Sequence, residues 1–311
     1  MKGQRPAEQT GASRRQDCAR EEARSGPRPS VLGLLGGIVR LGHPLPTVVT
    51  ALATVAFYQI ARGSAQPDGR SWQLLLACLL LLYSIGSMND CCDEPLDRRA
   101  GRIDKPLVAG VLPRRAAFRL WLAAAILAVL VAAWIGPMSA AMVVLLWSAG
   151  AAYNLWAKAS IFSWLPFVVF YPSLPVWAFI AADNVHPTLL LAYPVLALLS
   201  VALNIANTLP DLELDAAGGL RGLTHRLGVE RAHVALWSCF AATLALMSVV
   251  PPLLGFDLAR VLPGIVGGIL LLGAMMVDRL HVRSPATRRR GFHLSIALAV
   301  VLGLSWIACL A

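Results

Sequence analysis

Apolar runs of roughly 17 to 22 residues recur along this chain, and an α-helix needs about 20 such residues to cross the hydrocarbon of a bilayer. The runs predict nine transmembrane helices, near 44–61, 72–88, 116–135, 139–157, 163–182, 188–207, 232–250, 261–277 and 291–310. A chain obliged to bury those segments in lipid must satisfy its backbone hydrogen bonds internally, which leaves helices or a closed barrel. A barrel would show short alternating segments instead. Only 14% of the 311 residues are charged, against about 25% in an ordinary soluble domain. The expected fold is therefore an all-α polytopic membrane protein.

Residues 1–30 differ in kind. They are rich in Arg, Gln, Gly and Pro and cannot bury an apolar core, so they read as a disordered tail. The membrane domain is then residues 31–311. Its lead-in, Val31 to Leu41, is an amphipathic stretch suited to the membrane surface. The net charge is +10, which could mean a nucleic-acid partner. Its distribution argues against one. With the N-terminus cytoplasmic, 24 of the 27 Lys and Arg fall on the cytoplasmic side, and only Arg62, Arg70 and Arg260 do not. That asymmetry is the positive-inside rule, supplemented by attraction to anionic lipid. Arg288–Arg290 read as anchors of this kind. The Arg-over-Lys, Ala/Leu-rich composition points to a bacterial cell membrane.

The acidic residues are the exception to this greasy pattern. Two nine-residue windows, NDCCDEPLD (Asn89–Asp97) and NTLPDLELD (Asn207–Asp215), hold seven of the 13 acids outside the tail. Each ends a long apolar run, the second and the sixth. Asn89, Asp93 and Asp97 are spaced by four, as are Asn207, Asp211 and Asp215. On a helix, such spacing lines one face. Pro95 and Pro210 fall inside the windows and are able to kink those faces. The windows lie 118 residues and four spans apart, which predicts two pseudo-repeated four-helix halves plus one helix.

Clustered carboxylates repel unless something positive stands between them. Carboxylate and amide oxygens select hard cations, Mg2+ above all where phosphate shares the coordination. The six cysteines show no metal-type CxxC spacing. Two facing stripes would hold two Mg2+ ions bridged by a diphosphate. Basic loops follow both windows: RRAGRIDKPLVAG with Arg102 and Lys105, and AAGGLRGLTHRLG with Arg221 and His225. AAYNLWAK, with Tyr153, Asn154 and Lys158, ends the fourth span on the same side. Arg and Lys are the usual phosphate partners. Gly218, Gly219 and Gly222 would let their loop approach a ligand. The aromatics Trp156, Trp164, Tyr171 and Trp177 suit packing or an interface belt, or in part the lining of a substrate tunnel.

NDCCDEPLD is an intact NDxxDxxxD motif. With nine predicted spans and a second acidic motif after the sixth, the chain over about residues 35–310 resembles the UbiA superfamily of intramembrane prenyltransferases. That resemblance implies nine helices around a central cavity, capped by both motifs at the cytoplasmic face. It implies Mg2+-dependent transfer of a prenyl group from a prenyl diphosphate to a lipophilic, aromatic or quinone-precursor acceptor. By it, Asn89, Asp90, Asp93, Asp97, Asn207, Asp211 and Asp215 bind metal. Asp93, Asp211 and Asp215 act in catalysis, and Arg102, Lys105, Tyr153, Lys158 and Arg221 hold the diphosphate. Thr208 stands where the family's second motif has its first Asp, with Asn207 one residue earlier. Two alternatives stay open. A membrane terpene cyclase would use the same site without an acceptor, and a cation or phosphate transporter would also keep acids within the membrane.

Overall fold

A computed structural model describes residues 30–281 and 285–311; residues 1–29 of the predicted tail lie outside them. The described residues contain helices and turns and no strand. In chain order the helices are α1 (Val31–Leu41), α2 (Pro44–Arg62), α3 (Gly69–Arg99), α4 (Arg114–Ile135), α5 (Pro137–Leu155), α6 (Leu165–Ala181), α7 (Ala192–Thr208), α8 (Leu212–Ala217), α9 (Leu223–Leu253), α10 (Leu262–His281) and α11 (Pro285–Leu310). Among the described residues, seven spans are long and apolar enough to cross a membrane. Two further apolar helices, Leu165–Ala181 and Leu262–Val277, are shorter and stand at the fifth and eighth predicted spans.

The boundaries follow from local chemistry. Pro44 and Pro46 open α2, where a missing N–H costs nothing. Asp68 caps α3, accepting from the Ser71 amide at 2.9 Å and the Ser71 hydroxyl at 2.7 Å. Burial pushes the Asp68 carboxyl up, but these bonds and the Tyr58 hydroxyl outweigh it and hold the carboxyl below the usual range. Gly136 and Pro137 divide α4 from α5. Within α9, Gly228 (φ 71°, ψ 170°) separates the turn Leu223–Leu227 from the long helix that follows.

Each spanning helix packs on its chain neighbour, and α11 returns to α2, so the bundle closes into a ring. Contacts of α3 with α5, α2 with α6, and α7 with α11 tie it across. The core includes the fully buried Trp177, Trp306, Tyr58 and Phe240. Apolar side chains also cover the outside: Trp134 is 78% exposed and Leu270 68%. Such surfaces are untenable in water over many residues and suit lipid. Close approach of α3 and α5 is set by Gly150, where a Cβ would come within 2.6 Å of the Ile85 side chain.

Candidate active site

The two acidic windows are built differently. α3 runs unbroken through Pro95 to Arg99, so Asn89, Asp93 and Asp97 keep the predicted common face. The helix continues there although Pro95 has no N–H to donate to the carbonyl four residues earlier. The second window is bent: α7 stops at Thr208, a 3-10 turn covers Leu209–Asp211, and α8 resumes at Leu212. Asn207, Asp211 and Asp215 nevertheless line the same polar pocket as Asn89, Asp93 and Asp97. Tertiary packing restores the shared face that Pro210 interrupts.

That pocket has a volume of about 460 Å3. A second, mostly apolar chamber of about 300 Å3 adjoins it, walled by Phe57, Phe167, Phe170, Tyr171, Leu174 and Leu196 among others. His43, Pro46, Asn89, Tyr153, Asn207 and Phe292 line both and so mark the boundary. The site is thus a charged vestibule opening on an apolar interior. Tyr171 is the one of the four singled-out aromatics that reaches the chamber; Trp177 is fully buried core and Trp156 is exposed.

Each acid of the first window has a specific cation. Asp90, 2% exposed, accepts from Lys105 Nζ at 2.6 Å and from His43 Nε2 at 3.2 Å, both through Oδ1. Its Oδ2 is buried with no hydrogen-bond partner among the described residues. Asp93 pairs with Lys158. Arg102 joins the halves, lying 3.4 Å from Asp97 and 3.1 Å from Asp211. Burial opposes the Arg102 charge, but Asp211 and Asp97 outweigh it and hold its pKa above the usual arginine value. Asn89 donates to Asn154 Oδ1 at 3.0 Å, and Asn154 donates to the Ile85 carbonyl at 3.0 Å. This relay commits the Asn89 nitrogen and leaves its oxygen as the acceptor for a ligand.

The donor set around the pocket is therefore carboxylate and amide oxygen, the chemistry of a hard divalent cation. Among the described residues, no three His, Cys, Asp or Glu side chains stand close enough together to hold a metal as they are arranged. The carboxylates are instead engaged by Lys105, Lys158 and Arg102, cations that a metal–diphosphate pair would compete with. The residue types fit Mg2+ and diphosphate together better than either alone.

The structure corrects three expectations. Arg221 is exposed and does not line the pocket. Gly222 beside it packs on the chain rather than on a ligand, since a Cβ there would come 2.6 Å from the Lys158 carbonyl. Leu223 N–H donates to Ser163 Oγ at 3.2 Å, which turns Arg221 outward and His225 inward. Third, Arg288–Arg290 are not all plain anchors: Arg288 pairs with Glu213 at 2.7 Å and Arg289 lines the pocket. Thr208 lines it too, but its hydroxyl donates to the Asn204 carbonyl at 3.0 Å. Of these two neighbours, Asn207 is the one that lines both chambers.

Sequence reasoning missed His43, Arg40, Arg289 and His293, all of which line the vestibule. His43 has a left-handed backbone, φ 49°, an uncommon conformation outside glycine. A histidine before the first proline of the first span was the available signal. The α11 residues carried none, because an Arg cluster at a helix mouth looks the same in an anchor and in a site.

Gly222→Ala tests this packing. The added methyl must push the loop off Lys158, and displacement of about 1 Å at a site costs on the order of 100-fold in rate. Turnover with unchanged metal dependence is the measurement; an active Gly222→Ala enzyme with native rates would show that the contact is dispensable.

The profile of the UbiA prenyltransferase family matches residues 42–303. A digeranylgeranylglyceryl phosphate synthase of Korarchaeum cryptofilum (strain OPF8) is 24% identical over 225 residues, covering 69% of this chain and 76% of that protein. The apo structure of a UbiA homolog from Aeropyrum pernix K1 superposes with a TM-score of 0.67 at 18% identity, over 84% of this chain and 96% of its own. A UbiA homolog from Archaeoglobus fulgidus, solved bound to GPP and Mg2+, has a TM-score of 0.66 at 21% identity, over 87% and 99%. These two likenesses are of fold.

Proposed function

Because the chain belongs to the UbiA prenyltransferase family, we propose that it transfers the prenyl group of a prenyl diphosphate to a lipophilic acceptor, aromatic or quinone-precursor in type, in a Mg2+-dependent reaction. The observation that carries this reading is the junction of the two chambers. An oxygen-rich, cation-studded vestibule meets an apolar cavity at Asn89, Tyr153 and Asn207. A molecule with a diphosphate head and a hydrocarbon tail fits that division of polarity. The likeness to a homolog solved with GPP and Mg2+ supports it.

Asn89, Asp93, Asp97, Asn207, Asp211 and Asp215 would hold the metal, with Asp90 beneath them. Bound Mg2+ would neutralise the diphosphate and make it a better leaving group. Lys105, Lys158 and Arg102 then turn from the carboxylates they now pair with to the phosphate oxygens. The allylic C–O bond breaks, and its electron pair leaves with the diphosphate. Phe167, Phe170 and Tyr171 line the space for the resulting cation; they exclude water, and aromatic rings stabilise nearby positive charge. The acceptor attacks the cationic carbon, and its proton passes to Asp211 or to the departing diphosphate. The vestibule is proposed to face the cytoplasm of a bacterial cell, following the distribution of basic residues.

Purified protein given a prenyl diphosphate and an acceptor should release diphosphate only with Mg2+. EDTA should stop release and added Mg2+ restore it. Release that continues in EDTA, or a cyclic hydrocarbon from prenyl diphosphate alone, would overturn the transferase assignment.

A further inference from the structure

His225 is the buried polar side chain of the vestibule that neither the acidic windows nor the paired cations account for. It is 7% exposed and lines the polar pocket with Asp211, Asp215 and Lys158. Both ring nitrogens are shielded from solvent, and neither has a hydrogen-bond partner among the described residues. The Asp215 carboxylate is 4.0 Å from Nε2, beyond hydrogen-bond reach. Folded proteins seldom leave such atoms unpaired, and where they do a ligand or water commonly completes them.

The position of His225 is held firmly. Gly222 seats the loop on the Lys158 backbone, and Ser163 Oγ takes the Leu223 N–H. Ser163 is itself fixed by Asn204, whose side chain donates to the Ser163 carbonyl at 3.0 Å. Lys158, on the other side of the same contact, pairs with Asp93. One packed unit therefore places a cation of the vestibule and an unpaired imidazole together. A neutral imidazole always offers one N–H donor, the nearest carboxylate stands too far off to accept it, and an anionic oxygen entering the pocket is a suitable acceptor.

Resting on the reading above, we propose that His225 is a further substrate-binding residue, whose ring N–H donates a hydrogen bond to an oxygen of the diphosphate. The loop that leaves Arg221 in solvent thus still supplies a phosphate contact, through the fourth residue after it.

Isothermal titration of full-length protein in detergent with inorganic diphosphate and Mg2+ tests this. His225→Phe keeps the ring and removes both nitrogens. Losing a hydrogen bond to a charged group weakens binding by about 10- to 100-fold, so the Kd for diphosphate should rise by that factor while the melting temperature stays put. His225→Asn retains an N–H donor and should recover part of the affinity. If His225→Phe binds like the wild type while Asp93→Ala does not bind, the histidine assignment is wrong and the active-site reading stands. Should both His225 variants lose affinity together with melting temperature, the role is structural and the proposal fails. If wild-type protein shows no Mg2+-dependent diphosphate binding, the active-site reading fails and takes this contact with it.

Discussion

Asp93→Ala is expected to lower Mg2+-dependent diphosphate release by about 100- to 1000-fold, the scale on which single preorganised electrostatic contacts act in catalysis. Asp93 is the central oxygen donor of the unbroken α3 stripe, and it holds Lys158. Alanine removes a proposed metal ligand and also leaves Lys158, 13% exposed, without its carboxylate. Asp211→Ala should be milder. Its partner Arg102 keeps Asp97 at 3.4 Å and Asp104 at 3.8 Å, so no charge is stranded. Initial rates at saturating Mg2+, followed by a Mg2+ titration of each variant, check the order. If both variants release diphosphate at the native rate, the two windows are not the site.

Asp90→Ala should act on stability. Asp90 is almost wholly buried, and Lys105, 14% exposed, ends on it. Removing one partner of a buried ion pair strands the other charge and costs about 3–5 kcal/mol. The double variant Asp90→Ala/Lys105→Met removes both charges and should recover most of the loss in thermal unfolding, because an apolar replacement of a whole buried pair is close to neutral. It should not recover turnover, since Lys105 is also a diphosphate contact in this reading. A double variant no more stable than Asp90→Ala alone would mean that the pair is not coupled as its 2.6 Å separation indicates.

Much of this was legible beforehand. The places of the apolar runs predict where the helices fall, because length and hydropathy are local properties that a bilayer selects for directly. The spacing of Asn89, Asp93 and Asp97 reads correctly as one face, since α3 stays helical through them. Arg221 and His225 show where such reading stops. Four residues apart in one Gly-rich loop, both look like phosphate contacts. Which one turns inward depends on a glycine meeting the Lys158 carbonyl and a serine capturing the Leu223 N–H, partners some 60 residues away in sequence.

By itself, then, the sequence determined a helical membrane bundle with two oxygen-rich windows at one face, because the bilayer and the repulsion among clustered carboxylates act on composition and spacing alone. Only the tertiary structure decided how those windows become a site. It bends the second window at Pro210 yet brings it opposite the first, and it lets Arg102 bridge Asp97 and Asp211 across the halves. It also seats the vestibule on an apolar chamber closed by the return of α11 to α2. The joining of the halves rests on contacts such as Arg102 to Asp211, 109 positions apart. Such pairings follow from how the helices pack around one another, and no local pattern encodes them.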